Sequence, residues 1–240
     1  MYVKPDTPIP SAVLPDTSII NHSDVTEEFV DIYKYSDKGI KVNMQYFKNK
    51  LNGAISKAFV RKSVADRLLK ALQLLPDGYT FVILDAWRPY EVQLSLFNGY
   101  YNQIKEANPD ILSEEELHNK TLEFVSYPDR SKKFSFVHSS GGAVDITIID
   151  DKGIELDMGS EFDEFSDRSY TDWYERNDIS DTIRDNRRLL HNVMLSCGFT
   201  NYPSEWWHYD YGDIFWSYYT GKEAIYPSAF DLTEVNNSNG

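Results

Sequence analysis

The sequence predicts a single α+β domain built on a mainly antiparallel central sheet with flanking helices, on three observations. Segments with helical and strand periodicity alternate irregularly along the chain, which carries no internal repeat and no low-complexity stretch. Its 240 residues fall near the upper end for one compact domain, enough to bury a sizeable core. Its 17 Tyr, 13 Phe and 5 Trp suit sheet-rich structure and aromatic core filling.

Taken in order, residues 1–20 read as an extended, Pro-rich arm, residues 21–232 as the domain, and 233–240 as a frayed tail. From Ala58 to Leu75, Val64, Leu68, Leu72 and Leu75 recur at helical spacing until Pro76-Asp77-Gly78 stops them. Tyr79 to Leu84, YTFVIL, is a short apolar run that reads as a buried strand ending at DAWRPY. A second helix is expected over 91–104, with a break at Asn108-Pro109. A third starts at Ser113, whose hydroxyl and Glu116 form a capping box. Between Ser180 and Cys197, Ile183, Leu190, Val193, Met194 and Cys197 share an inward face, and Gly198 is placed to end the helix in the left-handed conformation.

Charge and cysteine content exclude several classes of function. A formal charge of −14 argues against nucleic-acid partners, which need clustered cations, and against anionic membrane surfaces. The single Cys197 excludes an intramolecular disulfide framework and a thiolate-rich zinc site. No stretch approaches ~18 uninterrupted apolar residues, so a cytoplasmic location is expected.

The chemistry concentrates in two segments. In His138–Asp150, HSSGGAVDITIID, a small-residue turn opens into a β-branched strand. Val144, Ile146 and Ile148 take one face, the core side, which turns Asp145 to the other, mid-strand where carboxylates are depleted. His138 stands seven residues before Asp145, on the opposite face of any unbroken strand. Only the Gly141-Gly142 turn can bring the imidazole back over Asp145; otherwise His138 is a hydrogen-bonded structural histidine. The second segment, SEWWHY, places Glu205 three residues before His208, so a bulge or a strand entry is needed for both to reach one site. Trp206 and Trp207 serve either as dry walls of a pocket or as core.

Two imidazoles, one carboxylate and an open fourth position are the ligand set of catalytic rather than structural zinc. Such a site keeps a net charge of about +1, which lowers the pKa of a bound water toward ~7, with Glu205 as the base that takes its proton. Arg88 stands where a buried strand ends, and either donates to a developing oxyanion or pairs structurally with Asp85. His22, His118 and His191 read as structural or exposed, and the acid runs at 114–116 and 150–151 as solvated faces and turns.

From VDIYKY at Val30 through DAWRPY, HSSGGAVD and MGSEFDEF to NYPSEWWHYDYG, the chain resembles the D-Ala-D-Ala dipeptidase branch of the zinc peptidases, which also include D,D-carboxypeptidases. H-x-x-G-x-A-x-D followed by E-x-x-H is a specific combination, though either half alone is weak. The resemblance implies one zinc per chain held by His138, Asp145 and His208, with Glu205 as general base and Arg88 as transition-state stabiliser. It further implies that Asp163 and Tyr35 hold the amino group of a small dipeptide substrate. The family pattern has a serine two residues before the first histidine, where this chain has Phe136 and places Ser135 one residue earlier. Two other readings stand beside the dipeptidase: a D,D-carboxypeptidase acting on longer peptidoglycan peptides, and a non-catalytic zinc-containing binding module on the same fold.

Overall fold

The computed structural model describes residues 3–18, 21–23, 25, 27–107, 113–164, 166–177 and 179–237. The expected break at Asn108-Pro109, Phe165 of the MGSEFDEF motif and the last three residues of the tail lie outside these. The order begins with β1 (Phe29–Asp31), a 3-10 segment (Ile32–Lys38), β2 (Lys41–Val42), α1 (Gln45–Lys48) and β3 (Phe59–Arg61). It continues through α2 (Lys62–Leu72), β4 (Thr80–Asp85), α3 (Tyr90–Ala107), α4 (Glu114–Leu122) and β5 (Ala143–Ile149). It closes with α5 (Trp173–Arg176), α6 (Asp181–Ser196), β6 (Thr200–Asn201), β7 (His208–Asp210), α7 (Ile214–Thr220) and α8 (Leu232–Asn237).

The central sheet has the order β2-β4-β5-β7-β6, and β1 and β3 form a separate antiparallel pair. The expectation of a mainly antiparallel sheet needs one amendment: β2 runs parallel to β4 at one edge, so the sheet is mixed. The other three pairings, β4 with β5, β5 with β7 and β6 with β7, are antiparallel. A parallel edge needs a crossover, and the chain supplies one through α1, β3 and α2.

One face of the sheet packs on the main core. Val144, Ile146 and Ile148 of β5 point there with Phe81 and Ile83 of β4, against Leu68 of α2 and Leu190, Val193 and Met194 of α6. That is the strand phase expected from the sequence. Trp206 and Trp207 belong to this core rather than to a pocket wall, at 2% and 1% exposure. The helix expected from Ala58 starts only at Lys62, because residues 59–61 pair with β1.

The caps behave as read. Ser113 and Glu116 close the capping box reciprocally at α4. At the end of α6, the Gly198 and Phe199 amides donate to the Leu195 and Met194 carbonyls, with Gly198 at φ +86. The tail departs from expectation: α8 forms over residues expected to fray, because Val235 is fully buried beside Phe29, Phe59, Trp87 and Ala229. At the other end the arm is extended, but tied down, with Ile9 buried and its amide donating to Glu175.

Candidate metal centre and catalytic site

Three neighbouring strands line up the first side chains. Register places Asp85 of β4 opposite Asp145 of β5, and Asp145 opposite His208 of β7. His138 arrives from a 3-10 turn over Val137–Ser140 that closes at Gly141 with φ +74. A Cβ at Gly141 would run into the Phe29 ring, and one at Gly142 into the Tyr211 carbonyl, so this reversal needs both glycines. Ligand atoms of His138, Asp145 and His208 then all lie within 4.8 Å of one another, and all three residues are buried.

The imidazoles are held by their outer nitrogens. His138 Nδ1 lies 2.8 Å from the Ala86 carbonyl oxygen, and His208 Nε2 lies 2.7 Å from Asp210 Oδ1. A neutral ring that donates outward presents a lone pair inward. The inward atoms are His138 Nε2, 3.4 Å from Asp145 Oδ2, and His208 Nδ1, 3.1 Å from Asp145 Oδ1. Burial works to raise the Asp145 pKa, but His138 and His208 beside it hold the carboxyl well below the usual range, so it stays an anionic donor. Two imidazoles and a carboxylate, each ring oriented by its own acceptor, fit a zinc ion with an open position.

Glu205 reaches the centre by the strand-entry route, not a bulge. It sits in the turn before β7, its amide donating to the Tyr202 carbonyl, and its Oε2 lies 3.7 Å from His208 Nδ1. Burial pushes its carboxyl up to about 8, aided by the charges of Asp145 and Asp163 and opposed by His208 and Arg88.

Arg88 pairs with Asp85, as one of its two readings expects, and also lines the centre. Its Nε donates to Asp85 at 2.8 Å and Nη1 to Gln93 at 2.7 Å, while Nη2 lies 3.3 Å from the Tyr46 hydroxyl and 3.4 Å from Asp145 Oδ2. The structural pairing with Asp85 fixes the guanidinium with one edge toward the centre. Asp163 lines the same cavity from a loop at φ +59. Burial pushes its carboxyl up to about 7, while Arg88 and a hydrogen bond with Tyr46 pull the other way. The cavity has a volume of about 280 Å³, and His138, Asp145, His208, Glu205, Arg88 and Asp163 all line it.

Tyr35 is the predicted residue that the fold does not bring to this cavity. It lies in the 3-10 segment packed against the main core, with the Lys38 ammonium 5.3 Å from its ring centroid. Tyr46, from the four-residue helix α1, stands at the cavity instead, bonded to both Arg88 and Asp163. No sequence signal marked Tyr46, since α1 is too short to show periodicity. Asp210 was also missed, but had a signal: residues two apart on a strand share a face, so HYD puts an acid beside the ligand histidine.

Known proteins resemble this chain in sequence. A D-alanyl-D-alanine dipeptidase of Synechocystis is 30% identical over 177 residues, 66% of this chain and 71% of its own. One of Enterococcus faecium is 33% identical over 149 residues, 61% of this chain and 69% of its own. A solved vancomycin-resistance D,D-pentapeptidase in complex with Zn(II) shares 17% identity over 71% of this chain and 84% of its own, at a TM-score of 0.44, too low a likeness to carry a conclusion. Residues 40–226, most of the chain and the whole of the centre just described, match the family of D-Ala-D-Ala dipeptidases called Peptidase M15, and the chain belongs to that family of zinc metallopeptidases.

Proposed function

We propose that this enzyme hydrolyses D-alanyl-D-alanine to two molecules of D-alanine. The observation that carries the reading is the set of opposed charges in one cavity: a candidate metal-ligand triad, a buried carboxylate beside it, a fixed guanidinium, and a second carboxylate, Asp163, on the same lining. His138, Asp145 and His208 would hold the zinc, which when bound would supply Lewis acidity and lower the pKa of a water. Glu205, whose Oε2 lies 3.7 Å from His208, would take the proton of the attacking water and pass it to the departing amine. Arg88, already oriented by Asp85 and Gln93, donates to the oxyanion through the Nη2 edge.

Asp163 pairs the substrate's free ammonium, and Tyr46 orients that carboxylate by its hydrogen bond. This requirement for a free amine separates a dipeptidase from a carboxypeptidase, whose substrates are acylated there. A single buried Cys197 fits a chain without disulfides, and a cytoplasmic site of action is part of the proposal; no described helix is long and apolar enough to cross a membrane. Residues 21–232 are proposed as the catalytic unit, with the arm as an appendage.

The test is release of D-alanine from D-Ala-D-Ala, read beside an N-acylated tripeptide. The wild type with zinc should cleave the first and leave the second intact. Glu205→Gln should lose about 10²–10⁴-fold in turnover and still bind zinc through its three ligands. Equal turnover in that variant, or cleavage of the blocked tripeptide alone, overturns the reading.

A further inference from the structure

On the dipeptidase reading Asp163 receives the substrate's ammonium, but the cavity has no matching group for the carboxylate at the other end. Among the described residues lining the cavity, Arg88 is the only Lys or Arg, and no Lys or Arg of the chain falls outside the described residues. Its guanidinium is engaged by Asp85, Gln93 and Tyr46, beside Asp145, and its Nη2 edge serves the oxyanion. A carboxylate drawn into this cavity would give up water without gaining a cation of its own.

The cavity is also longer than a dipeptide. Gln93, Leu96, Tyr100 and Gln103 line it from successive turns of α3, on one face of the helix. The rise from Gln93 to Gln103 is ~15 Å, whereas two fully extended residues span ~7 Å. Gln93 is the inner end of this face, since it accepts from Arg88 Nη1 at 2.7 Å. Asp163 meets the same guanidinium through Tyr46 at Nη2, so the amino end of a substrate and the start of the α3 face belong to different edges of it. Leu51, Leu122, Phe124 and Val125 line the space along with α3. Beyond Arg88, Asp145, Asp163 and Glu205 the described lining carries no Asp, Glu, Lys or Arg, in a chain with 26% charged residues. The length past the metal centre is therefore neutral and largely apolar. Gly99, exposed between Leu96 and Gln103, lines it too, and a Cβ there would meet nothing within 4 Å. Glycine is disfavoured inside a helix; at this position it keeps the mouth of the cavity open.

We propose that the enzyme requires a free amino terminus but not a free carboxyl terminus, and that an uncharged continuation of the peptide past its second residue runs along the Leu96, Gly99 and Tyr100 face of α3. This rests on the dipeptidase reading and extends it to amidated and longer peptides. On such a substrate water adds across the first peptide bond. D-alanine leaves with the new carboxylate, the remainder leaves with the new amine, and the proton passes through Glu205 as it does with the dipeptide.

The experiment compares kcat/KM for D-Ala-D-Ala, its C-terminal amide and the amide of D-Ala-D-Ala-D-Ala, from initial rates of D-alanine release by the zinc-loaded wild type, Gly99→Ala and Gly99→Phe. Ratios between substrates are independent of how much of each preparation is active. The wild type should cleave all three within about tenfold of one another, because a charge-assisted bond to the carboxylate would be worth about tenfold or more and none is made. Gly99→Phe, which fills open space at the mouth, should lower the ratio of tripeptide amide to D-Ala-D-Ala by about tenfold or more, and Gly99→Ala should keep it near the wild-type value. A wild type that cleaves D-Ala-D-Ala but prefers it to either amide by more than about tenfold overturns the proposal. A ratio unchanged in Gly99→Phe overturns the course along α3. No cleavage of D-Ala-D-Ala by the wild type overturns the dipeptidase reading beneath it.

Discussion

Replacing Asp163 by Asn sets stability against recognition at one atom. Burial pushes this carboxyl from 3.8 up to about 7 in the metal-free protein. About three units at ~1.36 kcal/mol each place a ceiling of ~4 kcal/mol on what the folded state loses by keeping it ionised. Partial exposure and the neighbouring Arg88 reduce the expected gain on substitution to about 2 kcal/mol. The sign follows from the raised folded-state value. Below pH 4 the group is neutral whether folded or unfolded, and Asp163→Asn should match the wild type. Between about 4 and 7 only the unfolded chain ionises, so wild-type stability falls relative to the variant, and above 7 the difference is constant. Asn tolerates the φ of +59 at this position, so backbone strain is not added. The assay is urea unfolding of chelator-treated protein from pH 4 to 8.5. With zinc restored, the same variant should lose about 10- to 100-fold in kcat/KM for the dipeptide, the worth of a charge-assisted bond to its ammonium. A difference in stability that does not vary with pH, or a variant less stable at pH 8, refutes the claim that Asp163 is buried at a cost for the sake of binding.

Two further predictions concern supports that the sequence did not announce. Asp210→Ala should weaken zinc binding by about 10- to 100-fold in a chelator competition, because His208 loses the acceptor that fixes its ring; unchanged affinity would show that β7 alone orients the histidine. Val235→Ala should cost about 1–3 kcal/mol in urea unfolding, as expected of a fully buried side chain, whereas a frayed tail would show no change.

Local features with a local cause were legible in advance. The capping box at Ser113, the left-handed Gly198 and the inward phase of Val144, Ile146 and Ile148 depend on a few adjacent residues, and each formed as expected. The Gly141-Gly142 reversal was inferred from an odd spacing, and the fold supplies it. Segments whose state depends on distant partners were not legible. Residues 59–61 form a strand because β1 lies beside them, and residues 232–237 form a helix because Phe29, Phe59 and Trp87 leave a place for Val235.

The same division runs through the site. The sequence by itself offered the candidate donors, two histidines, an aspartate and a glutamate, and a resemblance to a zinc dipeptidase family that implied the reaction class. Only the tertiary structure decided what surrounds them. Asp210 orients His208, Tyr46 rather than Tyr35 meets Arg88 and Asp163, and the tryptophans go to the core. The physical reason is that ligand identity is a property of single side chains, whereas orientation and burial arise only where segments far apart in the chain are packed together.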